Sequence, residues 1–215
     1  ASGDTSTVSN GAWNNVTGDY SAVLVGAYNN VGGAHNVVTN GANNTVSGNY
    51  NMVSGAKHNI NRSYCRVTGL EGSSDWINED ILASGKFSTE GDAKSSKLCM
   101  KGKSTGATYV ALATNGLGIT IPLNTSVAYK ITCIAKNEDG TQDGMWTAQG
   151  IATRGTGNVV LKGNTITKVF SDSATWDFLV EAYTASQWLH LKARGDAGQN
   201  VRWVATVELT VVKTQ

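Results

Sequence analysis

A unit of seven or eight residues recurs nine times within the first 69 residues, and this constrains the fold more tightly than anything else in the chain. Each unit opens on glycine and carries an aliphatic residue five positions later: Gly3/Val8, Gly11/Val16, Gly18/Val23, Gly26/Val31, Gly33/Val38, Gly41/Val46, Gly48/Val53 and Gly55/Ile60, with Arg62/Val67 closing the series. Three positions after the opening residue stands Ser6, Asn14, Ser21, Asn29, Asn36, Asn44, Asn51 or His58. Two units make a 15-residue period, which is the mark of stacked coils and not of a globular core.

Glycine is expected at the coil corners, where it reaches positive φ without steric cost. The valines are expected to point inward and stack, coil upon coil, with asparagine and serine side chains laddered between successive coils. Four and a half coils at about 4.8 Å each predict a segment roughly 20 Å long. One aliphatic per half-coil is a thin core against an ordering cost of about 1–2 kcal/mol per residue. The expectation is therefore that identical copies, most simply three, associate side by side to exclude water, also covering Leu24, Val25 and Val37.

Composition changes partway along the chain. Residues 1–56 contain two charged side chains, Asp4 and Asp19, whereas residues 86–215 hold 14 Lys/Arg and 10 Asp/Glu, so two physically different regions are predicted. A net charge of +1 gives no reason to expect nucleic acid or an anionic membrane as partner. No apolar run approaches the roughly 20 residues of a membrane helix, so no membrane insertion is expected. The opening on Ala1, without a basic-then-apolar leader, is expected of a mature or excised piece. Cys65, Cys99 and Cys133 match neither a zinc site nor a disulfide framework; Cys99 and Cys133, on strand-like runs, are expected as buried thiols in a protein assembled in a reducing cytosol.

Residues 70–85 read as a short neck after the 1–69 roll. There Ser73 to Leu82 suggest a helical turn capped by Ser74 or Asp75, with Trp76, Ile77, Ile81 and Leu82 packed near the axis. From residue 86 to 215 the pattern becomes period-two alternation broken by Gly, Asn and Asp, which predicts an antiparallel β-sandwich or jelly roll. The clearest strand places Val201, Trp203, Ala205, Val207, Leu209 and Val211 on one face. Residues 158–162 and 165–171 read as two separate strands. The fold class expected is thus all-β: a parallel β-roll, a neck and an antiparallel sandwich.

Two resemblances accompany this reading. Segments such as Ser21-Ala22-Val23-Leu24-Val25-Gly26-Ala27 resemble the head repeats of trimeric YadA-like adhesins, which also occur in phage fibre shafts; this implies a left-handed parallel β-roll and a homotrimer over residues 1–69. Ala83-Ser84-Gly85-Lys86-Phe87, Gly91-Asp92-Ala93-Lys94, Ile121-Pro122, Trp176-Asp177 and Val201-Arg202-Trp203-Val204-Ala205 resemble a C-terminal domain of tail fibres and other structural proteins of tailed bacteriophages. That likeness implies position, a trimeric distal fibre domain in the virion joined to upstream fibre or baseplate proteins, and not chemistry.

No Gly-x-Ser-x-Gly elbow, phosphate-binding loop or His-Glu-x-x-His is present. His35 and His58 belong to the repeat, and His190 alternates with Trp188 and Lys192 opposite Leu189 and Leu191. Acids such as Asp139, Asp143, Asp172, Asp177 and Glu181 show no spacing that pairs them, so no enzyme, cofactor or metal is expected. The polar loop 136–144 followed by Trp146 is the more plausible contact surface. Asp139, Asp143, Trp146, Trp188 and His190 are the receptor-binding candidates, because an aromatic ring stacks on a sugar face while carboxylates accept hydroxyl hydrogen bonds. The function expected is attachment of a phage tail fibre to a host surface polysaccharide. A capsule-degrading spike, a bacterial trimeric adhesin head and a purely structural virion protein stay open as alternatives.

Overall fold

The inward valines fall into register along the stack. In the computed structural model, which describes residues 1–214, Val8, Val23, Val38, Val53, Val67 and Ile81 are successive cross-strand partners on one side of the coil. Val16, Val31, Val46 and Ile60 form the second row. The two rows make a single core cluster with Cys65 and Ala83, and every valine in it except Val8 is essentially inaccessible to water within one chain. At about 1.5–3 kcal/mol per fully buried side chain, this row is the main stabilising term of the roll. The expectation that association of copies excludes water from the valines is corrected here. Two rows facing each other across the coil cover one another, and the aliphatic side chains that stay exposed, Leu24, Val25, Met52, Leu70 and Leu82, point outward, as do the corner rings such as Trp13, Tyr20 and Tyr28.

The strands follow from this register. The first coil holds β1 (Thr7–Asn10) and β2 (Asn15–Val16), the second β3 (Ala22–Ala27) and β4 (Asn30–Val31), and the third β5 (Val37–Ala42) and β6 (Thr45–Val46). Then come β7 (Met52–Ala56), β8 (Asn59–Ile60), β9 (Arg66–Leu70) and β10 (Asp80–Ser84). β1, β3, β5, β7, β9 and β10 form one parallel face, and β2, β4, β6 and β8 the other. The chain therefore contains a β-roll, and its all-β character is established.

Glycine serves the roll chiefly through close approach. A Cβ on Gly33 would stand 2.2 Å from the carbonyl oxygen of Gly48 in the next coil, and one on Gly18 1.9 Å from that of Gly33. Positive φ, expected of the repeat glycines, is found in one series only, at Gly11, Gly26, Gly41 and Gly55 (114°, 146°, 127° and 117°), while the αL positions belong to other residues: Trp13, Tyr20, Tyr28, His35, Asn43, Tyr50, Lys57 and Tyr64 all have φ between 53° and 61°. Inside the corners run the amide ladders. Asn44 Nδ2 donates to Asn29 Oδ1 at 2.8 Å, Asn29 Nδ2 donates to Asn14 Oδ1 at 2.9 Å, and Asn36 Nδ2 donates to the carbonyls of both Gly33 and Gly48 at 2.7 Å. These bonds satisfy polar groups that the stacking buries.

The helical turn expected between Ser73 and Leu82 does not form. The Glu79 carboxylate accepts from the backbone N–H groups of Asp75 (2.8 Å) and Trp76 (3.1 Å), and the chain then re-enters the stack as β10, beside β9. Trp76 and Ile81 are buried, while Leu82 points outward. A buried ionic cluster closes this region. Lys94 Nζ lies 2.5 Å from Glu79, 3.0 Å from Asp75 and 5.0 Å from the centre of the Trp76 ring, and Lys213 reaches Asp75 at 2.7 Å. Burial alone would raise the Asp75 carboxyl and lower the Lys94 ammonium. The opposite charges outweigh it and shift both the other way, so Asp75 and Lys94 stay ionised.

The remaining strands are β11 (Ala93–Ser104), β12 (Val110–Leu112), β13 (Ile119–Thr120), β14 (Thr125–Asn137), β15 (Asp143–Arg154), β16 (Val160–Ser171), β17 (Asp177–Tyr183), β18 (Trp188–Arg194) and β19 (Val201–Lys213). The chain divides into two compact units, one from Ala1 to Ser96 with the chain's end from Val212, the other from Lys97 to Val211. In the second unit β19, β14, β15 and β16 follow one another in a sheet. A smaller sheet is built on β18, which pairs antiparallel with β17 along one edge and with β12 and β13 along the other.

The alternating side chains of β19 from Val201 to Val211 are all buried. Trp146, Trp176 and Trp203 meet among them, with ring centres 5.2 and 5.9 Å apart, and Trp203 Nε1 donates to Ser104 Oγ at 3.0 Å. The two strands expected at 158–162 and 165–171 are one, β16. Gly163, at φ 63°, takes up a register shift opposite Gln149 and Ile151, so the turn-like Gly-Asn pair is a bulge. Cys133 is buried, whereas Cys99, expected as a buried thiol, is exposed because it alternates with Leu98 and Met100. Among the described residues no helix is long and apolar enough to cross a membrane.

Candidate functional site

Alternation along β17 and β18 decides which side chains share the outer face of the smaller sheet. Phe178, Val180, Leu189, Leu191 and Ala193 are buried. The residues between them pair across the strands: Tyr183 with Trp188, Glu181 with His190, Leu179 with Lys192 and Asp177 with Arg194. Three rings therefore cluster, with the Tyr183 centre 6.3 Å from Trp188 and 5.3 Å from His190, and Trp188 6.2 Å from His190 edge-on. Beside them the Glu181 carboxylate lies 2.5 Å from Lys192 Nζ and 3.6 Å from His190 Nδ1. Burial and the neighbouring Lys192 ammonium hold the His190 imidazole below its ordinary pKa against the pull of Glu181, which favours the neutral ring at neutral pH.

At the other end of the pair, Tyr109 donates its hydroxyl to Asp177 while the Arg194 guanidinium lies 4.9 Å over the Tyr109 ring. Burial and the Asp177 carboxylate push the Tyr109 hydroxyl up to about 12. The face thus combines ring surfaces, a carboxylate acceptor, an ammonium donor and an imidazole whose Nδ1 is buried beside Glu181. This inventory suits a polyhydroxylated ligand.

The other sequence candidates separate from this face. Trp146 is fully buried against Trp203, so it presents no ring to solvent, and its place among the receptor contacts is corrected. Asp139 is exposed but engaged locally: its Oδ1 accepts from the Thr141 hydroxyl at 2.6 Å and the Thr141 N–H at 3.0 Å, closing the hairpin and holding its carboxyl below the ordinary range. Asp143 pairs with Lys136 at 2.9 Å. Trp188 and His190 are the two candidates that come together. Their partner Tyr183 was missed by the sequence reading, although it sits two residues after Glu181 on the same alternation. Among the described residues no group of three His, Cys, Asp or Glu is placed to hold a metal ion.

Residues 1–93 match the family model of the grass antifreeze beta roll. No curated protein matches the chain. Among solved structures it is similar to the tailspike protein gp49 from Acinetobacter baumannii bacteriophage Fri1, a capsular polysaccharide depolymerase, at 10% identity over 90% of this chain and 37% of that one, with a TM-score of 0.37. It is similar also to the Acinetobacter baumannii phage AM24 tailspike protein (8% identity, 97% and 50% covered, TM-score 0.30) and to the Acinetobacter phage vB_ApiP_P1 tailspike protein (12% identity, 96% and 54% covered, TM-score 0.25). The chain spans 37% to 54% of the length of these three. The expectation of a protein without enzymatic activity is corrected by the first of them, which is itself a depolymerase.

Proposed function

We propose that this chain is the distal part of a bacteriophage tail fibre or tail spike, attaching the virion to a host-surface polysaccharide through the outer face of β17 and β18. The observation that carries the reading is the ring cluster of Tyr183, Trp188 and His190 around the Glu181–Lys192 pair. A pyranose stacks its apolar face on such rings while its hydroxyls bond to the flanking charges. One such contact is weak. Homotrimeric presentation multiplies it, and the apolar side chains left outside on Leu24, Val25, Leu82, Ile134, Phe170 and Val204 support side-by-side association of copies. In this reading residues 1–69 are a left-handed YadA-like roll serving as shaft, the C-terminal unit is a β-sandwich tip, and upstream fibre or baseplate proteins hold the assembly in the virion. Three free cysteines fit assembly in a reducing host cytoplasm.

The test is retention of the purified chain on an array of bacterial surface glycans and on whole cells. Wild-type protein is expected to bind, and Trp188→Ala and Tyr183→Ala to lose binding while remaining folded. Binding that survives both substitutions overturns the assignment of the face. Release of reducing ends from the bound glycan, measured in parallel, reads cleavage separately from attachment.

A further inference from the structure

The corners of the roll carry rings that the attachment face does not use. Tyr20, His35, Tyr50 and Tyr64 occupy equivalent corners of successive coils, at φ 53°, 58°, 59° and 61°. Their ring centres are 5.0, 4.6 and 5.0 Å apart, with planes inclined by 6°, 4° and 1°. All four residues are exposed, the tyrosines by 50% to 58%.

Left-handed backbone is unfavourable for bulky side chains and tolerable for asparagine. The next position of this column, Asn78, takes the same φ of 59° with an asparagine, and the opposite corner of the coil holds Asn43, Lys57 and Glu71 at 56° to 59° where it carries no ring. The rings are thus placed against local preference, and an outlier of that kind points toward use. Both faces of His35 and of Tyr50 are covered by neighbours in the column, so solvent meets ring edges, phenol hydroxyls and an imidazole. Edges are electropositive and the hydroxyls both donate and accept, which suits oxygen-rich ligands better than apolar ones. Of the residues directly flanking the four rings in sequence only Asp19 is charged, and Asp4, whose N–H donates to the Asp19 carboxylate at 2.9 Å, adds a second negative charge at the Tyr20 end, so the column offers no row of positive charges to an anionic ligand.

From this geometry we propose that the column Tyr20-His35-Tyr50-Tyr64 is a second binding site, for a linear, uncharged, hydroxyl-rich glycan lying along the roll. The proposal rests on the glycan-attachment reading but on different residues. The test titrates the whole chain with cellohexaose, laminarihexaose and chitohexaose while NMR follows the ring protons of the four column residues and of Trp188. Column signals are expected to shift with at least one hexasaccharide. The triple variant Tyr20→Asn, Tyr50→Asn, Tyr64→Asn should keep its circular dichroism and bind at the column about tenfold more weakly or not at all, while Trp188→Ala leaves the column shifts intact. Column shifts without Trp188 shifts uphold this site and overturn the β17–β18 face for these sugars. Shifts at Trp188 alone sink the column and leave the attachment reading standing, and silence at both sinks both. Unchanged affinity in the triple variant, or column shifts that track protein concentration and not sugar, also overturn the proposal, the latter marking a contact between copies.

Discussion

His58 Nδ1 accepts a hydrogen bond from the backbone N–H of Gly72 at 3.0 Å, in the place where Asn29 and Asn44 offer a side-chain oxygen to the backbone N–H of the following coil. The ladder therefore fixes one tautomer: Nδ1 is bare, and Nε2 carries the proton toward the Ser54 carbonyl at 3.3 Å. Burial lowers the pKa of this imidazole below 6.5 despite the backbone bonds that favour its charge. A group with a depressed basic pKa stabilises the fold fully above its unfolded pKa and loses that contribution as pH falls. Wild type is thus expected to melt at a lower temperature at pH 5 than at pH 7.5. His58→Asn, which restores the amide, should reduce that difference, as read by thermal melts of the two proteins at both pH values.

Gly33→Ala should be severely destabilising. Its methyl would overlap the backbone of Gly48 and Ser47, which flexible side-chain motion cannot relieve, so a cost of about 3 kcal/mol or outright misfolding is expected. The adjacent Gly32→Ala meets nothing nearer than Thr17 Oγ1 at 3.9 Å and should stay within about 0.5 kcal/mol of wild type. Urea denaturation of both variants separates close approach from generic glycine flexibility.

Lys94→Met leaves Glu79 and Asp75 without the ammonium that neutralises them, although Lys213 remains on Asp75. Removing one partner of a buried ionic group costs about 3–5 kcal/mol, because the other charge stays desolvated. Chemical denaturation at pH 7 should show a loss of that order. The depressed Asp75 carboxyl adds a stability contribution present above its unfolded pKa of 3.8 and lost as pH falls below it.

Trp146→Ala and Trp188→Ala should part company. The first empties a site enclosed by Trp203 and the strands around it, for about 3–5 kcal/mol of stability. The second removes a partly exposed ring at the start of β18 and should cost less stability while abolishing glycan retention. Melting temperature and array binding, measured on both, give opposite patterns if the assignment is right.

Much of the roll was legible because its information is local and periodic. Val23, Val38 and Val53 recur at the coil period, so one coil predicts the next, and the laddered amides follow from the same spacing. The signal at Ile81 was equally regular, 14 residues after Val67, but the loss of glycine at Arg62 and the charged loop before Asp80 obscured it. In the second unit, alternation grouped the residues of β19 correctly on one face.

Periodicity by itself determined which side chains share a face and which positions stack. It could not determine which face would be covered, because cover comes from residues distant in sequence. Trp146 and Trp188 both lie on alternating strands, yet β19 brings Trp203 against the first and buries it, while the second, packed beside Gly118, Tyr183 and His190, stays partly exposed. The same holds for glycine in the roll: the sequence placed it at every coil, but only the stacked backbones, about 2 Å from any added Cβ, made it indispensable there.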